Sequence, residues 1–152
     1  MKKGLGVFAV VVALLVAFPV AATASGTPPV QASSVETIHF EDGSRLVIET
    51  VVFQTTTRSS SRSASQTGIG YDSSGNKTCS LTLKGTFSYD GNTSSATQST
   101  YTYTIYKSGW KKDSASASRS GATAYAEGSF SNASDNLTIS LSLTCDRNGN
   151  IS

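Results

Sequence analysis

Few side chains in this chain can do chemistry. Its 152 residues hold one histidine, His39, and two cysteines, Cys79 and Cys145. Nucleophilic catalysis needs a base beside a serine or cysteine. His39 is the single imidazole available, and it sits just before a tight turn, where an ordinary strand histidine is the plainer reading. Glu41-Asp42 is an adjacent carboxylate pair, but neighbours on a strand face opposite ways, so it reads as turn chemistry. Residues 146–150 (DRNGN) place oxygen ligands at alternate positions, as a calcium loop does. Such a loop needs glycine at its sixth position, which here is Ile151. Asn148-Gly149 is therefore read as a turn. The expectation is no catalytic residue, no metal and no cofactor, and hence not an enzyme.

The segment 106–112 (YKSGWKK) is the most promising binding patch. Trp110 on a loop beside Lys107, Lys111 and Lys112 could stack on a sugar ring or take an anion, with Tyr106 extending the platform. The competing reading makes Trp110 a core side chain with the lysines solvated. Nucleic acid is not expected as a partner. Of 12 basic residues, Lys2 and Lys3 lie in a leader, which leaves 10 against 10 acidic ones. Binding to phosphates is driven by a basic excess, and none exists here.

Lys2-Lys3, an apolar run over residues 5–18, Pro19 and Ala22-Thr23-Ala24 have the layout of a signal peptide (residues 1–24), cleaved after Ala24. The alternative is a retained anchor, since residues 4–22 carry no charge and are just long enough to span a bilayer. Cleavage predicts a secreted, extracellular protein with no membrane association afterwards. An oxidising compartment favours a Cys79–Cys145 disulfide. It would close a loop of 67 residues, worth about 4 kcal/mol in the chain-entropy model. Five asparagines (76, 92, 132, 136 and 150) begin Asn-x-Ser/Thr sequons, but the short Lys-Lys leader looks bacterial, and there they would carry nothing.

The elements behind these residues are strands. Residues 25–34 read as a flexible linker and residues 35–152 as a single β-sandwich domain. Residues 35–40 and 45–53 form a hairpin about Asp42-Gly43. Residues 55–68 are polar and low in complexity, an edge ribbon or a loop, read as loop at their middle. In residues 78–89, Cys79, Leu81, Leu83, Phe87 and Tyr89 share one parity, with Gly85 marking a bulge or bend. Residues 98–107, 114–119, 122–130 and 137–145 complete the set, the second as a thin edge strand alternating small residues. With no helical periodicity, the fold class is an all-β antiparallel sandwich of seven or eight strands. It is immunoglobulin-like in architecture only, since Leu143 and not tyrosine stands two before Cys145. Cys79 and Cys145 both lie on the apolar face of their strands, so both should point into the core.

The runs GNKTCSLTLKGTFSYDG (75–91), YTIYKSGWK (103–111), SRSGATAYAEG (118–128) and LTCDRNGNIS (143–152), with IHFEDGSRLVIE (38–49), resemble a group of small exported all-β proteins of Gram-positive, chiefly clostridial, bacteria. That resemblance implies secretion and a β domain, and it assigns no activity. The expected function is a non-catalytic binding or surface-interaction domain. Its partner would be a cell-surface glycan or protein. The alternatives are a carbohydrate- or cell-wall-binding module using Trp110, and a secreted antagonistic peptide or toxin.

Overall fold

The computed structural model describes residues 30–53 and 60–152. They form eight strands. The first five are β1 (Val30–His39), β2 (Arg45–Phe53), β3 (Ser61–Tyr71), β4 (Lys77–Tyr89) and β5 (Ser94–Ile105). Then come β6 (Lys111–Ser120), β7 (Thr123–Ser131) and β8 (Asn136–Thr144). Every neighbouring pair is antiparallel and consecutive, in a five-stranded sheet β1-β2-β3-β4-β5 and a three-stranded sheet β6-β7-β8. The smaller sheet packs over β3, β4 and β5. The result is the expected all-β sandwich, made of two meanders without a crossover. The expected signal peptide, residues 1–24, lies outside the described residues. Among the described residues no helix is long and apolar enough to cross a membrane.

The alternation in β4 decides its face. Cys79, Leu81, Leu83 and Phe87 are fully buried, and they meet Phe130, Ile139 and Leu143 from the other sheet. Full burial of each large side chain is worth roughly 1.5–3 kcal/mol. Gly85 keeps the same face. The Phe87 ring folds back over it, so that a Cβ there would stand 2.8 Å from Phe87 Cζ. The register shift of this strand falls one step on, between Thr86 and Phe87. Outward slots carry hydroxyls. Thr67, Thr82 and Thr102 form a row across β3, β4 and β5, with the Thr67 and Thr82 Oγ1 atoms 2.9 Å apart.

Three expectations are corrected. Val30 to Ser34, read as linker, are the first half of β1. Ser61 to Gly68, read as an edge ribbon or a loop, belong to β3, which is central and paired on both sides. Its inward slots hold Ala64, Gln66, Gly68 and Gly70, so it shows no apolar alternation. The apolar groups are supplied by β8: a Cβ at Gly68 would stand 2.5 Å from Ile139 Cγ2, and one at Gly70 would collide with Leu137. Residues 55–59 of the same stretch lie outside the described residues.

The third correction is the disulfide. Cys79 and Cys145 are both buried, as their parity requires, but both are free thiols. Leu137, at the start of β8, packs on Gly70, and the Cys79 Sγ lies 3.6 Å from the position of a Cβ there. Cys145 follows the other end of β8. Eight residues of strand, roughly 26 Å at about 3.3 Å each, separate Leu137 from Cys145. A disulfide spans Cα atoms no more than about 7 Å apart. Burial pushes the Cys79 thiol up to about 11. Burial, reinforced by the Asp146 carboxylate, raises the Cys145 thiol as well.

Candidate functional site

Consecutive antiparallel strands bring alternate turns to the same end of the molecule. The connections β1–β2, β3–β4, β5–β6 and β7–β8 all gather at the end that holds Cys79. There they line a cleft of about 490 Å³. Phe40, Tyr71 and Trp110 contribute rings, Leu137 an aliphatic floor, and Glu41, Asp42, Asp72 and Asp135 carboxylates, with Arg45 the one cation lining it among the described residues.

Three of these four turns are built by their own acidic or amide side chain; the β5–β6 turn is closed by the backbone, Trp110 N–H to Lys107 O at 3.2 Å. In the β3–β4 turn, Asp72 Oδ1 accepts from the backbone N–H groups of Ser74 (3.0 Å) and Asn76 (2.9 Å). Gly75, at φ +83°, supplies the left-handed corner. Asp42 Oδ1 accepts from the Ser44 N–H at 2.9 Å, and Asn132 Oδ1 accepts from the N–H groups of Ser134 and Asp135, both at 2.7 Å. These are Asx turns, in which a short polar side chain closes the loop. The DRNGN segment does the same at the far end of the sandwich. Asp146 Oδ1 accepts from the N–H groups of Asn148 and Asn150, and Asn150 Nδ2 bonds the other carboxylate oxygen at 2.7 Å. That carboxylate is held low first by the Asn150 side chain and then by backbone donors.

Trp110 is half-buried. It packs against the core and also faces the cleft, so it is both wall and anchor. The lysines expected around it are dispersed. Lys107 Nζ donates to Asp72 Oδ2 at 2.7 Å. That bond, together with the Asn76 N–H, lowers Asp72 to about 2. Lys111 pairs with Asp113 at 3.3 Å, and Lys112 Nζ lies 4.7 Å over the Tyr103 ring. Tyr106 stands on the outer face of the larger sheet. Its hydroxyl accepts from Ser80 Oγ at 3.4 Å, and Lys77 Nζ sits 5.5 Å over its ring. Of the five expected binding residues only Trp110 lines the cleft, and Lys107 reaches its margin through Asp72. The expected basic platform is replaced by an acidic, aromatic cleft, because Lys111 and Lys112, the first residues of β6, turn to Asp113 and to the Tyr103 ring.

The residues missed are Phe40, Glu41, Asp42, Arg45, Tyr71, Asp72 and Asp135. Arg45 lies 4.4 Å over the Tyr71 ring, a cation–π contact that holds both at the cleft wall. Their signal was available: all belong to or border connections from an odd to an even strand. His39, the last residue of β1, is exposed and opposite Arg45, and it does not line the cleft. Among the described residues no group of three or more His, Cys, Asp or Glu side chains could hold a metal ion. No family model, no curated protein and no solved structure matches the chain.

Proposed function

We propose that the chain is a secreted, non-catalytic binding domain whose ligand is a carbohydrate held in the Trp110 cleft. One observation carries the reading: three rings and four carboxylates converge on a cleft of about 490 Å³. Ligand sites pair apolar walls with a few placed polar groups. Aromatic faces suit the C–H faces of a sugar, and carboxylates accept from its hydroxyls. With Lys107 paired to Asp72 and Arg45 at the wall, the four carboxylates still leave the cleft net negative, which disfavours an anionic ligand, so the sugar is neutral or amine-bearing. A glycosidase would need a carboxyl raised to act as general acid. Asp72, the carboxylate most firmly bonded here, moves the other way.

Binding to neutral and to amine-bearing cell-surface polysaccharides, followed by calorimetry and by Trp110 fluorescence, tests this reading. Trp110→Ala should weaken binding by at least about tenfold, the loss of roughly 1.4 kcal/mol. Absence of binding to either class of polysaccharide, or full binding by Trp110→Ala, would remove it.

A further inference from the structure

Four strands end the two sheets: β1, β5, β6 and β8. An open strand edge invites pairing with another chain, and proteins blunt it with charge, proline or a covering segment. Three of these edges are blunted. On β5, Arg119 Nη1 donates to the carbonyls of Ala96 (2.9 Å) and Thr97 (2.7 Å), and the Ala96 N–H donates to Gly121 O at 2.8 Å. On β8, the Ser142 N–H donates to Gln66 Oε1 at 2.9 Å, and Thr144 exchanges two hydrogen bonds with Ser152. β6 carries Lys111, Lys112, Asp113 and Arg119.

β1 is the least blunted of the four: its one formal charge is Glu36. Its ten residues, VQASSVETIH, include no lysine, arginine or proline. Among the described residues nothing hydrogen-bonds its outward edge. Its one register irregularity lies at the start, between Val30 and Ala32, and the pairing with β2 then runs regularly to His39. Val35, at the middle of that stretch, is 45 % exposed.

We propose that β1 is a self-association edge: two copies of this chain pair β1 against β1, antiparallel, about a two-fold axis through Val35, joining two five-stranded sheets into one. A two-fold axis makes the interface isologous, so its register can be checked against the side chains. Centred on Val35, the pairing sets Val35 opposite its own copy, Ser33 opposite Thr37, and Ser34 opposite Glu36. The one carboxylate of the strand then faces a hydroxyl. Centred one residue on, Glu36 would face Glu36, and like charges directly opposite are destabilising. Residues 25–152 carry 10 basic and 10 acidic side chains, so no net repulsion opposes two copies meeting.

The experiment uses protein expressed from the full sequence, with its N-terminus fixed by intact mass. Sedimentation velocity over a wide concentration range should show a monomer–dimer equilibrium. Val35→Lys places two ammonium groups face to face and should raise the dissociation constant by at least about tenfold, with the far-UV spectrum unchanged because Val35 is a surface residue. Mild oxidation supplies a readout of register. Val35→Cys should form an intermolecular disulfide with its own copy. Thr37→Cys should not, since its copy lies four residues away along the partner strand, and neither should Ser116→Cys on the other sheet. A monomer at every concentration, a Val35→Lys protein that dimerises like the parent, or equal cross-linking at residues 35, 37 and 116 would each overturn the proposal.

Discussion

β3 and β4 are neighbours in the same sheet, paired to each other along almost their whole length, and they fill the core in opposite ways. β4 pushes Leu81, Leu83 and Phe87 into it. β3 leaves the room empty at Ala64, Gly68 and Gly70, and β8 fills it with Leu137, Ile139 and Leu141. Interiors pack to near-crystalline density, so a strand of small residues is as constrained as one of large residues, though by its neighbour's volume and not its own. One polar slot of β3 is fully engaged. Gln66 Nε2 donates to Thr50 Oγ1 at 3.1 Å, while its Oε1 accepts from the Ser142 N–H, so that one side chain ties β2, β3 and β8 together. Arg62, opposite Phe87, is a further polar residue on the inward face.

If the two strands differ in this way, truncation should hurt β4 and enlargement should hurt β3. The largest effect is expected for Phe87→Ala, about 3–5 kcal/mol from lost burial and the cavity left under Gly85. Denaturant unfolding measures it. Gly68→Val should cost about 1–3 kcal/mol by overpacking against Ile139. Its double-mutant cycle with Ile139→Ala should show coupling, the pair costing less than the sum of the singles. Strict additivity would mean that β8 does not fill the β3 slot. Gln66→Ala should cost about 1 kcal/mol, the ordinary worth of a hydrogen bond, and should speed amide exchange at Ser142.

The smallest effect concerns the turn that joins β3 to β4. The folded pKa of Asp72 is lowered from 3.8 to about 2. Its contribution to stability is therefore complete above the ordinary carboxylate value and is lost as the pH falls from about 4 through about 2. Lys107→Gln should flatten part of that acid dependence and leave the part owed to the Asn76 N–H. The Asp72 carboxyl carbon shift, followed by NMR in both proteins, reads it directly.

The difference between β3 and β4 also explains which parts of the molecule were legible. Leu137, Ile139, Leu141 and Leu143 announced β8 as plainly as Leu81 to Phe87 announced β4, because alternation survives whenever a strand supplies its own apolar groups. SRSASQTG carried no such signal, since its inward groups are absent by design of the packing. The cleft divides in the same manner. Trp110 was visible as a residue type, and the Asp-Gly and Asn-Gly turns were visible as turns. That 40–44, 72–76, 106–110 and 132–135 meet at one end depends on every connection being consecutive, a property of the whole topology.

Local chemistry was decided within a few residues. Period-two alternation set the face of β4, β7 and β8, glycine at positive φ closed the Asx turns at Asp42, Asp72 and Asp146, and parity alone turned both cysteines inward. Tertiary structure decided what parity leaves open, namely the height of a residue along its strand and which strand lies opposite. Cys79 begins β4 and Cys145 follows β8, two even-numbered strands that run the same way through the sandwich. One thiol therefore lies under the cleft and the other at the far end. A side chain's face repeats every two residues and is written in its neighbours, whereas its height is fixed only when strands that are distant in sequence find their register.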